Sequence, residues 1–352
     1  MQLRASLGTL VKLGIKRVKM DVPVNTGYFL VGSGCRGRCD FCSQSYRADG
    51  RADKLSRIIW PQIDTDTLKE HSNKLIALER ICFQCLDYPG LSQDLTELIL
   101  YFRNDVGYCG SLSASINPVS LNALIELRNA GLDYISVPLD VPTEKLYRLR
   151  KIAGKINNES HGKTADASQK VKTFDSVLDI LKESISVFGK SKVTTHLIVG
   201  LGESDREMIE RLIWLSDRKI NVGLFAFTPL AGTPLYDRAP PSIGRYRAIQ
   251  LSYYLISEKR LNINIFKFQN GKLVGYIEGN IPDKICREIF EEDIFGGVCF
   301  RTSGCPECRR PYYNERPGQT PYNYPRSLSS GEIREARKAV FDYFKNTNEV
   351  PK

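Results

Sequence analysis

The chain has 352 residues, 42 % of them hydrophobic, with 50 Lys and Arg against 40 Asp and Glu and a net charge of +10. That length allows one large core or two ordinary ones, and no run of about 18 apolar residues is present to cross a bilayer. The basic balance suits an acidic partner, but no Arg-rich tail or nucleic-acid-binding signature accompanies it, so nucleic acid is not expected.

The first stretch, Met1 to Met20, spaces Arg4, Lys12, Lys16, Arg17 and Lys19 among apolar residues. It lacks the continuous apolar core of an export signal. It reads as a helical segment, residues 1–24, closing one end of a barrel. Short β-branched and apolar runs then alternate with amphipathic ones to about residue 260. Strands are predicted at Tyr28–Val31, Arg80–Phe83, Tyr134–Val137, Val193–Val199 and Val222–Phe227. Helices are predicted at Ser92–Phe102, Val119–Ala130 and Arg206–Ser216, where apolar residues recur at helical spacing. Such alternation means an α/β fold with a parallel sheet, and curling gives a (β/α) barrel, partial or nearly closed, over residues 25–260. Functional groups then belong at the C-terminal ends of strands. Residues 151–171 are polar and aperiodic and read as an insertion; His161 there needs no functional explanation. From 261 to 352 the pattern changes. Leu261–Phe268 and Lys272–Ile277 read as strands joined at Asn270-Gly271, followed by a Cys-, Pro- and aromatic-rich segment, 296–326.

Ten cysteines fall mostly in short clusters. Without an export signal this favours metal binding in a reducing cytoplasm over disulfides. Cys109 and Cys286 read as inert thiols. The run Gly34-Cys35-Arg36-Gly37-Arg38-Cys39-Asp40-Phe41-Cys42 follows the first strand of the barrel. Three thiolates at that spacing hold three irons of a [4Fe-4S] cluster and leave the fourth open. A zinc knuckle is the competing reading, although zinc sites usually pair two short Cys/His couples. A second set, Cys299, Cys305 and Cys308, has C-x5-C-x2-C spacing and offers three thiolates to another metal, either zinc or a cluster. Its fourth ligand is open between Cys82, Cys85 and a hydroxyl such as Ser303.

The first run, with Phe41 just before Cys42, resembles the signature of the radical S-adenosylmethionine (SAM) superfamily. Ile198-Val199-Gly200-Leu201-Gly202-Glu203 resembles its fifth-strand motif, with His196 in place of the first glycine. Phe227-Thr228-Pro229 resembles the segment after its sixth strand. The resemblance implies that Cys35, Cys39 and Cys42 hold the cluster and that the open iron chelates SAM, which is cleaved to a 5′-deoxyadenosyl radical. It also implies that Phe41, Ile198, Gly200 and Pro229 lie near the nucleoside. Val137-Pro138-Leu139-Asp140 is similar to the region of biotin synthase that holds the ribose, which falls here to Asp140; an N-terminal helix cap is the structural alternative. Gln84 could stand toward the amino group of SAM. Cys82 matches the place of an auxiliary-cluster cysteine in biotin synthase.

The tail, Gly304-Cys305-Pro306-Glu307-Cys308 with Arg310-Pro311-Tyr312-Tyr313-Asn314-Glu315-Arg316-Pro317-Gly318 and Tyr322-Asn323-Tyr324-Pro325, resembles the biotin-synthase-related subunit of the archaeal-type two-protein lipoyl synthases. This implies a second, auxiliary [4Fe-4S] cluster and sulfur insertion into an unactivated aliphatic C–H bond. The implied substrate is octanoyl-lysine on an acidic lipoyl-carrier protein. The implied partners are a companion radical SAM subunit and a low-potential electron donor such as ferredoxin. Three alternatives are a biotin-synthase-like enzyme for a free small molecule, RNA methylthiolation, and a non-enzymatic Fe-S or zinc protein.

Overall fold

The computed structural model describes residues 2–49, 53–117, 119–152, 172–280, 297–311, 313–316 and 318–348. Most of the predicted insertion, with His161, and also Cys286, Tyr312 and Pro317 lie outside these residues. Strand β1 (Leu3–Ala5) and helix α1 (Leu7–Leu13) come first, so the stretch expected to be one helix is split. Ser6 caps α1, and its hydroxyl accepts from the Thr9 amide. β2 (Thr26–Val31) is followed by the small hairpin β3 (Lys54–Leu55) and β4 (Ile58–Ile59), then by α2 (Thr65–Glu70) and α3 (Ser72–Ile76). The repeating part runs β5 (Arg80–Cys85), α4 (Leu91–Leu100), β6 (Ser111–Ser115), α5 (Leu121–Asn129), β7 (Tyr134–Ser136), α6 (Glu144–Tyr147), α7 (Phe174–Phe188), β8 (Val193–Val199), α8 (Asp205–Asp217), β9 (Asn221–Ala226) and α9 (Ile243–Ser257). The hairpin β10 (Phe266–Gln269) and β11 (Lys272–Tyr276) follows, and α10 (Ser330–Asn348) is the last element described.

The main sheet has the order β1-β2-β5-β6-β7-β8-β9. β2 and the five strands beyond it are parallel, and β1 joins antiparallel with Leu3 opposite Val31. This is the α/β sheet of a partial (β/α) barrel.

Its strands obey a period of two. On β2 and β5, Phe29, Ile81 and Phe83 point outward and are fully buried. The Phe29, Phe83 and Phe102 rings pack with centroids 5.4–6.3 Å apart under α4. The intervening residues, Tyr28, Cys82 and Gln84, line an internal cavity. So do Ser113 and Ser115 of β6, Thr194 and His196 of β8, and Gly223 and Phe225 of β9. Tyr28 pairs in register with Cys82, and Cys82 with Ser113, so these three share one level.

Helix starts follow local chemistry. Ser204 and Glu207 form a reciprocal capping box on α8. Asn270 and Gly271 both take positive φ, 49° and 79°, as a two-residue hairpin turn demands. α10 packs on α9 at Gly244, where a Cβ would stand 2.6 Å from the Ala339 carbonyl oxygen.

Unclosed, β9 would leave a free edge. The tail meets it. The Leu224 amide donates to Ser303 Oγ at 3.0 Å, and Asn314 Nδ2 donates to the Ala226 carbonyl at 2.7 Å. Asn323 Nδ2 reaches the Leu224 carbonyl at 3.4 Å. Arg247 of α9, 1 % exposed, lies against the Phe300 and Tyr324 rings and donates to the Pro321 and Tyr322 carbonyls and to Gln250. The tail thus fills the seam beside β9 and enters the barrel, where Cys308 Sγ lies 3.5 Å from the Tyr28 hydroxyl of β2.

Replacing Arg247 with Met keeps the packing volume but strips donors from two buried carbonyls. This should cost about 3 kcal/mol of stability, read as a lower urea midpoint and earlier protease nicking within 301–326. An unchanged midpoint would contradict the anchoring role.

Candidate active site

The loop after β2 is fixed from several sides. Arg36 pairs with Asp87 at 3.0 Å, and its amide donates to the Asp87 carbonyl at 2.8 Å. Asp40 pairs with Arg47 and lies 3.7 Å from Arg150. The Tyr46 amide closes the loop onto the Gly37 carbonyl at 2.8 Å. Cys35 Sγ accepts from the amides of Gly37, at 3.3 Å, and Asp87, at 3.5 Å. Gly37 makes room for the thiols, since a Cβ there would stand 3.2 Å from Cys35 Sγ and 3.9 Å from Cys39 Sγ.

Burial pushes all three thiols up. Cys35 is raised despite its two amide donors, Cys39 is raised well above the usual thiol value despite the cation of Lys151, and Cys42 is pushed up to about 12 with Cys35 adding to it. Three half-buried thiols this close together ionise more readily beside a positive partner, which a metal centre supplies. Among the described residues no three His, Cys, Asp or Glu side chains converge on one ion-sized point. Tetrahedral zinc needs sulfurs about 2.3 Å from the ion, whereas a four-iron cluster spreads its thiolates over a larger body.

Beside this loop is a cavity of about 120 Å³, lined by Phe41, Cys42, Asp140, His196, Ile198 and Phe227 among others. Asp140 takes a left-handed φ of 69°, a strain of about 1–3 kcal/mol for a residue with a Cβ. The backbone holds it there: its amide donates to the His196 carbonyl at 2.7 Å, and the Ile198 amide donates to its carbonyl at 2.9 Å. It is not a helix cap, because Thr143 caps α6.

The Asp140 carboxylate pairs with Lys151 at 2.7 Å, and that lysine side chain is 7 % exposed. Lys151 also donates to the Pro138 carbonyl at 2.8 Å. Burial works against its charge, but Asp140, Tyr147 and Cys39 outweigh it and hold the pKa above the ordinary lysine value. The sequence reading set Lys151 in a polar insertion; in the structure it sits in a π-helical turn, Arg148–Ile152, and lines the cavity.

Gly200 and Pro229 stand further off. The Gly200 amide donates to Glu203 at 2.7 Å, and the position requires glycine both for its positive φ of 109° and because a Cβ would meet Pro241 at 2.9 Å. Gly200 therefore shapes the turn. Pro229 lines a separate surface hollow with Arg57 and Arg316.

A second group of thiols lies deeper. Each meets a polar neighbour: Gln84 Nε2 donates to Cys82 Sγ at 3.1 Å, with the Ser113 side chain also bonding that thiol, Thr194 Oγ1 is 3.2 Å from Cys305 Sγ, and the Tyr28 hydroxyl is 3.5 Å from Cys308 Sγ. Burial pushes Cys82 up to about 12, with Cys305 and then Cys308 contributing. Cys85 lines the same cavity. Cys299, read from its spacing as the third member, is not brought to this group. It is 8 % exposed and packs by Arg247 and Tyr276. Strand β5 thus contributes Cys82 where spacing in the tail pointed to Cys299.

Three residues besides Lys151 were not singled out as site members. His196 is 3.2 Å from Ser136 Oγ and edge-on to Phe225. Arg310 lies over Phe225 at 3.9 Å. Tyr313 packs on the same ring. The His-for-Gly departure in the fifth-strand motif was the one signal for the first; the other two stand in a tail whose path only folding reveals.

The cavity joining the two thiol groups measures about 490 Å³ and is mostly apolar. A parallel barrel sheet with a cysteine loop after its first parallel strand, and a small hollow beside it, defines an enzyme built for cluster-assisted radical chemistry. The family model of the Radical SAM superfamily matches residues 29–215, and the chain belongs to that superfamily. Membership brings SAM and a [4Fe-4S] cluster as cofactors.

The ribosomal protein uS12 methylthiotransferase RimO of Protochlamydia amoebophila (strain UWE25) is 24 % identical over 308 residues, covering 80 % of this chain and 57 % of the relative. The chain therefore spans little more than half the length of that curated relative. Among solved structures, HydG, a maturase of the [FeFe]-hydrogenase, aligns with a TM-score of 0.50 at 10 % identity, over 66 % of this chain and 50 % of that one. Methylornithine synthase (PylB) aligns at 0.48 and 15 % identity, over 65 % and 61 %. The likeness to HydG is one of fold. Among the described residues, no helix is long and apolar enough to cross a membrane.

Changing Cys35, Cys39 and Cys42 together to Ala should abolish reductive cleavage of SAM while iron elsewhere is retained. Formation of 5′-deoxyadenosine by the triple variant would refute the assignment.

Burial holds His196 down at about 4, against an ordinary 6.5. The unfolded chain takes up the proton first, so stability from the neutral ring is full above about pH 6.5 and is lost as pH falls toward 4. His196→Gln should flatten that part of the curve of thermal midpoint against pH. An unaltered slope would contradict it.

Proposed function

We propose that this chain inserts sulfur into an unactivated aliphatic C–H bond, with octanoyl-lysine on an acidic lipoyl-carrier protein as substrate. The observation that carries this reading is the second thiol group, Cys82, Cys305 and Cys308, facing the same apolar cavity as the cysteine loop. When bound, the first cluster and SAM supply a hydrogen-abstracting radical and the second cluster supplies sulfur.

The chain's own residues do the rest. Cys35, Cys39 and Cys42 hold the first cluster, and Cys82, Cys305 and Cys308 the second. Phe41 and Ile198 give the nucleoside apolar contact, and Asp140 offers its ribose a carboxylate once Lys151 shares or yields it. Gln84, between the two thiol groups, can donate to either ligand. The apolar lining excludes water from a reactive carbon centre. A companion radical SAM subunit and a low-potential donor such as ferredoxin complete the system, and a cytoplasmic setting keeps the thiols reduced.

A second reading is methylthiolation, favoured by the relative that acts on a ribosomal protein. There the same two thiol groups would serve a different substrate.

Anaerobic reconstitution with SAM, dithionite and an octanoylated carrier, followed by mass spectrometry, tests the substrate. Sulfur added to the carrier supports the lipoyl reading. Its absence, with a methylthio group found on uS12 instead, would replace it.

Single-site variants test the second cluster. Cys82→Ala, like Cys305→Ala or Cys308→Ala, should lower iron to about four per chain and stop sulfur transfer while SAM cleavage continues. Cys299→Ala should leave iron content unchanged. The reverse pattern at Cys82 and Cys299 would overturn the ligand set.

A further inference from the structure

The large cavity does not end at the second thiol group. It continues to the N-terminal side of β2, where Leu7, Gly8, Val18, Met20, Pro23 and Val24 line it. Leu7 is 37 % exposed and Val18 47 % exposed, so this end faces solvent. Gly8 stands on this passage with Met20 and Val24 close by, and a Cβ there would touch both at 3.6 Å, so a longer side chain would fill the space between them. Just inside stands Tyr28, whose hydroxyl touches Cys308. Tyr28, Cys82 and Ser113 lie one level into their strands, with the cysteine loop beyond the far ends of the same strands. The second thiols therefore stand between this opening and the first.

The rim is basic. Lys16, Arg17 and Lys19 are exposed beside the apolar residues, Lys12 is half-buried, and Asp21 is the one acid in residues 12–24.

We infer that this opening is the entrance for a slender aliphatic chain, and that the segment 12–20 is the docking surface for the acidic protein that presents it. The lining is mostly apolar, which suits methylenes and disfavours a polar head group. Lys16 and Arg17 lie outside the passage and Lys19 stands at its mouth, which suits a partner that remains in solvent and sends only its chain inward. A chain entering here passes the second thiols and ends toward the cysteine loop, so its far carbons are the ones that react. The inference rests on the sulfur-insertion reading for which end reacts, but the route itself is a matter of binding.

The test uses reconstituted holoenzyme without reductant, so that no chemistry occurs. Calorimetry measures binding of an octanoyl-lysine peptide and of an octanoylated, acidic carrier domain. Val18→Trp and Gly8→Leu narrow the passage. Each should weaken both probes at least tenfold while iron content and SAM cleavage stay at the parent level. Lys16→Glu with Arg17→Glu and Lys19→Glu should weaken the carrier about tenfold and leave the peptide unchanged, and added salt should weaken carrier binding to the parent in the same way.

Parent-like binding of both probes to the narrowed variants would overturn the route. Equal loss of peptide and carrier in the charge-reversed variant would overturn the docking surface. Failure of the parent to bind either probe would overturn the aliphatic occupant; sulfur insertion into some other substrate would then still be decided by the iron and product measurements on the Cys82, Cys305 and Cys308 variants.

Discussion

The docking of the tail on the open edge of β9 is the constraint on which the rest of the structure depends. A parallel sheet that stops short of closure leaves a row of unpaired amides and carbonyls. Here side chains do the pairing: Ser303, Asn314 and Asn323 meet the backbone of Leu224 and Ala226. Arg247 binds the returning limb from below through the carbonyls of Pro321 and Tyr322. Because those contacts bracket residues 304–311, Cys305 and Cys308 are delivered into the barrel instead of lying on its surface. Barrel closure and assembly of the second thiol group are thus one event.

Charge is arranged around that closed interior with few free parameters. Burial raises the Cys39, Cys42 and Cys82 thiols well above the ordinary value, so a positive partner favours their ionisation. Lys151 lies near Cys39 and bonds Asp140, so one cation serves both the cysteine loop and the hollow lined by Asp140. Arg310, held by Phe225 and the Ser303 carbonyl, puts a second cation beside Cys308. Both arginine and lysine arrive from segments that follow the strands they serve, which is how a barrel of fixed strands accommodates varied chemistry.

The superfamily brings SAM, one cluster and radical chemistry. The choice among substrates is made by the surfaces beyond it, and the relative with a methylthiotransferase name aligns with this chain over only part of its own length. The mostly apolar cavity and its basic rim are the features that speak to that choice in this chain.

The strand and helix alternation was legible because its causes are local. Val193–Val199 is a strand by β-branching, Asp205–Asp217 a helix by a capping box and its apolar period, and Asn270-Gly271 a turn by its tolerance of positive φ. The cysteine loop was equally legible, since its three thiols lie within eight residues of one another along the chain. The second thiol group was legible in part, since Cys82 was already a candidate fourth ligand beside Cys305 and Cys308. Spacing grouped Cys299 with Cys305 and Cys308, yet the 3-10 turn Val298–Phe300 buries Cys299 against α9 while the chain beyond it turns into the barrel. Cys82, more than two hundred residues earlier and read from sequence only as a fourth ligand, stands in this group because strand register sets it inward beside Tyr28. Lys151 and Arg310 were hidden for the same reason. The sequence by itself determined the elements and the one site built from neighbours in the chain; the tertiary structure decided every contact whose partners meet only when the sheet curls and the tail seals its edge.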